Sequence, residues 1–328
     1  MIVPLRRSAM SSASADLPLA VGPAMTATVG RGKLRVFTAT LIAADALRDG
    51  DISAAVDRLA DAGCAPGASG WVEPGKAADL FFAVGRDAAR LALEGAFPST
   101  DVVVQLAEGR RKAVLVADMD STMITVECID ELADYAGLKP QIAAITERAM
   151  RGELDFEAAL DARVSLLRGL DAGVIDECLA ERVRIMPGAP ELVRTMRANG
   201  ALTLLVSGGF TRFAEPVAAT IGFERAFANV LEIEGAVLAG TVAKPVVGAE
   251  AKLATLNAAL AERCVPAADS LAVGDGANDL HMIRAAGLGV AYHAKPVVAG
   301  AAAARIDHGD LTALLYAQGY PRSEWVEG

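Results

Sequence analysis

Four short groups of residues could do chemistry together. The first is Asp118-Met119-Asp120-Ser121-Thr122, directly after the apolar run 113–117. The second is Ser207-Gly208-Gly209, after the apolar run 202–206. The third is Lys252, near the start of a predicted helix in Glu250-Ala251-Lys252-Leu253. The fourth is Gly274-Asp275-Gly276-Ala277-Asn278-Asp279, after the apolar run 271–273. Each has an ordinary alternative: a solvated turn, a glycine loop, a surface lysine. Four in this order, three of them at strand ends, do not share one.

The residue types suit transfer of a phosphoryl group. A phosphate monoester is an anion, so an anionic nucleophile must first be screened. A hard cation such as Mg²⁺, held by carboxylates and by the phosphate itself, supplies that screening. A carboxylate can then attack phosphorus and form an acyl phosphate. A lysine balances charge on the equatorial oxygens, and a second carboxylate can protonate the leaving alkoxide. Hydroxyls and closely approachable backbone N–H groups, as in Ser207-Gly208-Gly209, suit phosphate oxygens.

These groups need a frame. Runs 113–117, 202–206 and 271–273 are continuously apolar with a polar or glycine-rich stop, as expected of strands buried on both faces. Each leads into a turn and a helical stretch, which predicts a parallel sheet with helices on both sides. Ligands in such sheets sit beyond the carboxyl ends of the strands. Residues 124–185 show helical periodicity and little strand character. Phe156, Leu160, Arg163 and Leu167 fall on one helix face. That segment is a candidate cap over the site, and Pro187-Gly188 marks the return to the core. The fold expected is α/β: a Rossmann-like parallel core over 110–328, with a helical cap at about 124–186 inserted after the first core strand.

Residues 31–109 read as a small α+β domain. Strands are expected at 34–42, 79–84 and 102–106, and helices at 52–62 and 88–95. No catalytic pattern occurs there, and a fragment starting near Arg110 is expected to keep the catalytic residues and to fold, with some loss of stability. Residues 1–30, Ser/Ala/Pro-rich with Arg6 and Arg7, read as a disordered start or an over-long gene start, with Met10 and Met25 as alternatives, ahead of a weak targeting peptide.

The chain has 328 residues, 53% hydrophobic and 5% aromatic, so its core must be aliphatic. A net charge of −10 without a Lys/Arg cluster argues against nucleic acid and a membrane surface as partners. Cys64, Cys128, Cys178 and Cys264 are too scattered for a zinc site or disulfide framework, which suits a reducing, cytoplasmic setting. His281, His293 and His308 form no ligand set by spacing. A homodimer stays open.

The four groups resemble the signature motifs of the haloacid dehalogenase-like hydrolase superfamily. The resemblance narrows to its bacterial phosphoserine phosphatases through Glu127-Cys128-Ile129-Asp130-Glu131, the segment 148–156, Ser207-Gly208-Gly209-Phe210 and Ala291-Tyr292-His293-Ala294-Lys295-Pro296. It covers about residues 110–316. It implies Mg²⁺ as cofactor and phosphoserine, a small molecule, as substrate. It casts Asp118 as nucleophile and metal ligand, and Asp120 as general acid/base with its carbonyl on the metal. Asp275 would be the third ligand, and Asp279 would hold metal-bound water. Ser207, the Gly208 backbone, Lys252 and Asn278 would contact phosphate or substrate. Glu127 would take the ammonium group and Arg163 the carboxylate, under an apolar lid of Met150 and Phe156. A fork-shaped guanidinium suits a carboxylate because it binds in a bidentate way.

Three alternatives differ in what happens to the phosphoryl group. A relative could act on another ester, or pass the group to an alcohol. A phospho-accepting signalling module would need a long-lived acyl phosphate. It would gain nothing from Asp120 or from a cap.

Overall fold

The computed structural model describes residues 35–150 and 153–327, apart from the side chain of Met150. The start expected to be disordered, 1–30, lies outside the described residues.

The chain opens with β1 (Phe37–Ala43), α1 (Asp49–Asp61), β2 (Pro66–Glu73), β3 (Ala77–Phe82), α2 (Arg86–Leu93) and β4 (Thr100–Leu106). The strands form an antiparallel sheet in the order β2-β3-β1-β4. Alternation along β1 sends Ala39 and Leu41 to one face, where they pack with Ala55 and Leu59 of α1. Thr38 and Thr40 point to the other face. They too are buried, because both hydroxyls donate to Asp79 Oδ1, at 3.3 and 2.7 Å. Asp79 also pairs with Arg110 at 2.6 Å. Strand β2 was not expected. It is Gly/Ser-rich and mostly exposed, so it carries no apolar alternation to read. The ends of the other elements of this domain shift from expectation by up to three residues, since local sequence marks element ends poorly.

From β5 (Val114–Ala117) the architecture becomes α/β. Helices α3 (Cys128–Tyr135), α4 (Lys139–Met150), α5 (Phe156–Leu166) and α6 (Gly173–Glu181) follow. An antiparallel bridge between Ile124 and Ile185 closes the neck of this helical insertion. Then come α7 (Ala189–Ala198), β6 (Leu202–Phe210), α8 (Thr211–Ile221), β7 (Arg225–Asn229) and the hairpin β8 (Leu231–Glu234) and β9 (Val237–Val242). The chain ends with α9 (Ala249–Arg263), β10 (Ser270–Gly274), α10 (Leu280–Ala285), β11 (Leu288–Tyr292), α11 (Pro296–Ala299), β12 (Ala304–Ile306) and α12 (Ala313–Ala317).

The six-stranded sheet is parallel, in the order β12-β11-β10-β5-β6-β7. Strand β5 is central. Leu115 and Ala117 enter one hydrophobic cluster, and Val114 and Val116 the other, so every residue of the strand is buried. The chain moves outward from β5 through β6 to β7, then returns to lay β10 on the other side. That reversal opens a crevice at the carboxyl ends of β5, β6 and β10. The hairpin β8–β9 lies against the insertion: Gly169 N–H donates to Leu238 O at 2.9 Å, and Leu238 N–H donates to Leu170 O at 2.8 Å.

Candidate active site

The crevice is a cavity of about 360 Å³. Asp118, Asp120, Glu127, Phe156, Arg163, Gly208, Asp275 and Asn278 all line it. Ser207, Lys252 and Asp279 are fully buried and touch its floor. The side chain of Met150 lies outside the described residues, so its expected lid role has no structural account.

Two carboxylates leave the end of β5 toward the cavity while Met119 between them is buried in the core. A tight turn follows. Thr122, Met123 and Ile124 all donate to the Met119 carbonyl, and Ser121 takes a left-handed φ of +55°. The turn aims α3 at the site, and the Cys128 N–H in its first turn donates to Asp120 Oδ1 at 3.1 Å. Asp120 Oδ2 accepts from the Ser207 hydroxyl at 3.3 Å. Glycine is required beside it. A Cβ on residue 209 would stand 2.8 Å from Asp120 Oδ2 and 3.0 Å from Ser207 Oγ.

The floor is a carboxylate–ammonium–carboxylate row. Lys252 Nζ lies 2.5 Å from Asp118 Oδ1 and 2.6 Å from Asp279 Oδ1. Asp279 Oδ2 accepts from Gly276 N–H at 3.0 Å. Burial pulls the lysine's pKa down. The two carboxylates outweigh that and hold its pKa well above the ordinary value. One lysine does not neutralise the site. Burial and then the Asp279 charge push Asp118 well above the carboxylate range, against the pull of Lys252. Burial, followed by the charges of Asp279 and Glu127, raises Asp275 to about 6. Burial and the charge of Glu127 raise Asp120 to about 6.

Crowded, raised carboxylates mark a place that lacks positive charge. Asp118, Asp275 and Asp279 each offer an oxygen, and these oxygens lie within 4.8 Å of one another. An all-oxygen donor set suits a hard divalent cation such as Mg²⁺ rather than zinc or copper.

Phe156, at the start of α5, covers the Gly208 side of the cavity. Its ring would be within 3.1 Å of a Cβ on residue 208 and 3.0 Å of one on residue 248, so it rests on two glycines. Asn229, buried on β7, braces the same loop. Its Nδ2 donates to Gly208 O at 2.8 Å, and its Oδ1 accepts from Val247 N–H at 2.7 Å.

The outer rim is looser. Glu127 is exposed, and its Oε1 accepts from Ser121 Oγ at 2.8 Å. Arg163 is half-buried and donates through Nε to Ala159 O at 3.2 Å, on its own helix. Burial lowers its pKa, while the charges of Asp130, Glu127 and Asp120 oppose that. Sequence reasoning missed Asp130, Thr146 and Lys295, which also line the cavity. Thr146 left no signal in the sequence. Its Oγ1 is buried without a hydrogen-bond partner among the described residues. Lys295 could have been found, since it sits in one of the segments that narrowed the resemblance.

Comparison with known proteins agrees with this geometry. The chain matches the model of the haloacid dehalogenase-like hydrolase family over residues 115–284. A phosphoserine phosphatase of Streptomyces coelicolor is 44% identical over 71% of this chain and 57% of its own length. One from Albidiferax ferrireducens is 44% identical over 62% of this chain and 87% of its own length. The crystal structure of a probable phosphoserine phosphatase from Vibrio cholerae, 31% identical, superposes with a TM-score of 0.68 over 88% of each chain. The chain therefore belongs to the haloacid dehalogenase-like hydrolase family. It spans only 52–64% of the length of several curated relatives that it matches. Among the described residues, no helix is long and apolar enough to cross a membrane.

Proposed function

We propose that this chain hydrolyses O-phospho-L-serine to L-serine and phosphate, the last step of serine biosynthesis, through an acyl phosphate on Asp118. One observation carries the reading. A buried carboxylate–lysine contact, Asp118 with Lys252, shares a cavity with one exposed acid and one guanidinium, Glu127 and Arg163. A free amino acid ester presents those features in turn: a phosphate, an ammonium and a carboxylate. The names of the relatives support the same substrate.

In this reading Asp118 attacks phosphorus and Asp120 gives its proton to the serine oxygen. Asp120 then takes a proton from the water that cleaves the acyl phosphate. Its raised pKa suits a group that must hold a proton and later accept one. Lys252, Ser207, Asn278 and the Gly208 N–H bind the phosphate oxygens. Asp118, Asp275 and the Asp120 carbonyl, with Asp279 close behind, would hold Mg²⁺. That ion would supply charge screening between nucleophile and phosphate. Glu127 takes the substrate ammonium group, Arg163 the carboxylate, and Phe156 excludes water.

The test is phosphate release from phosphorylated amino acids and sugar phosphates in the presence of Mg²⁺. Phosphoserine should give the highest kcat/KM. A sugar phosphate turned over more efficiently would replace the assignment.

A further inference from the structure

Asp101 lies on β4, opposite Ile42 of β1, and is only 4% exposed. Its carboxylate reaches out of its own sheet to the segment after β12. There Oδ1 accepts from Asp307 N–H at 2.8 Å and His308 N–H at 3.2 Å, and Oδ2 accepts from Gly309 N–H at 2.7 Å. Three successive N–H groups converging on one anion form a nest. Such charge-assisted bonds are stronger than neutral ones.

The nest is connected to the cavity. The Gly309 carbonyl lies 3.0 Å from His293 Nε2. A carbonyl can only accept, so Nε2 carries the proton. His293 follows β11 directly and has a φ of +42°, an uncommon conformation for a residue other than glycine. Its N–H donates to Ile306 O at 2.9 Å. Two residues on, Lys295 N–H donates to Asp275 O at 3.4 Å, and the Lys295 side chain lines the cavity. Asp101, Gly309, His293 and the Lys295–Asp275 contact therefore form one continuous series of hydrogen bonds and short chain segments.

We propose that Asp101 is a positioning residue for the active site. By holding 307–309 as a nest it places the Gly309 carbonyl, which holds the His293 ring, which sets the loop carrying Lys295 beside Asp275. The antiparallel sheet is then part of the support of the site although it gives no group to the chemistry. The proposal rests on reading the cavity as a phosphatase site.

Hydrogen exchange and kinetics on the full chain test it together. Asp101→Asn keeps the side-chain shape but turns an amide toward donors. It should speed amide exchange over 307–309 and also over 293–299. It should lower kcat for phosphoserine by about threefold to tenfold. His293→Gln should speed exchange over 293–299 and lower kcat by a similar factor. The double variant should be no worse than the worse single one, because the two act in series. Thr40→Val, which removes a hydroxyl bonded to Asp79 in the same sheet, should lower Tm and leave kcat and the exchange of 293–299 at wild-type values. The proposal is overturned if Asp101→Asn changes exchange only near 304–312, or if His293→Gln leaves both readouts unchanged. If Asp101→Asn does not fold, His293→Gln decides alone. A wild-type chain inactive on phosphoserine would end the functional reading, while the exchange pattern would still decide the positioning.

Discussion

Lys252, beneath the floor of the cavity, and Glu127, in its lining, hold a charge in opposite ways. Lys252 is fully buried between Asp118 and Asp279, on elements locked into the six-stranded sheet. Glu127 is exposed at the start of a short helix, steadied by one hydroxyl. The floor is organised before any substrate arrives. Its groups pay their desolvation cost once, in folding, so little reorganisation remains for the reaction. At the rim, Glu127 is exposed and Arg163 half-buried, with one hydrogen bond for each side chain among the described residues. On the function proposed above, chemistry and recognition are thus separated in burial.

The sharpest break in that contrast would come at Asp118. Asp118→Asn should leave the fold intact and abolish turnover. Activity within about tenfold of wild type, about 1.4 kcal/mol of barrier, would remove it from the nucleophile's role. Metal removal should have a comparable effect on the floor: excess chelator should stop phosphate release and added Mg²⁺ should restore it. Full activity in chelator would leave the crowding of Asp118, Asp275 and Asp279 without a chemical purpose.

Gly209→Ala tests how little the floor can yield. The new methyl would meet Asp120 Oδ2 at 2.8 Å. Displacing that carboxylate should cut kcat by about a hundredfold, measured at saturating substrate. A wild-type kcat would show the floor to be more pliant than its packing suggests. At the rim, Arg163→Ala should lower kcat/KM for phosphoserine by about tenfold to a hundredfold, the worth of one charge-assisted contact. An aryl phosphate, which has no carboxylate, should be affected much less. Equal losses on both substrates would mean that Arg163 does not read the carboxylate. The smallest effect is expected from Thr146→Val. It removes a buried hydroxyl that has no partner among the described residues, so Tm should hold or rise. A fall in Tm would reveal a partner made only in solution.

The floor was the more legible part of the sequence. Strand β5 and its neighbours are buried on both faces, so their apolar runs stop where Asp118, Ser207 and Asp275 begin. A change of hydropathy and the onset of chemistry coincide there. The hairpin β8–β9 was not foreseen, because its burial comes from the helical insertion, a contact between distant parts of the chain. Strand β2 is hidden by its Gly/Ser content. The fragment from Arg110, expected to fold with some loss of stability, would lose long-range partners that the sequence does not announce. Arg110 pairs with Asp79, Gln105 Nε2 donates to Ala317 O at 2.8 Å, and Asp101 holds 307–309. None of these has a local signature. Such a fragment should be markedly less stable than the full chain, as a thermal melt of each would show.

The neck at Ile124 and Ile185 has a consequence for exchange of parts between proteins. The insertion leaves and re-enters the sheet through neighbouring residues, so a different insertion could be spliced there without cutting a core strand. It would not arrive alone, however. Gly169 and Leu170 bond to the hairpin at Leu238, and Lys244 reaches Asp161 at 2.9 Å. A graft would have to bring residues 231–244 with it. The unit that can be inherited or transplanted is two separate stretches of sequence, and a change in one would be expected to be answered by a change in the other.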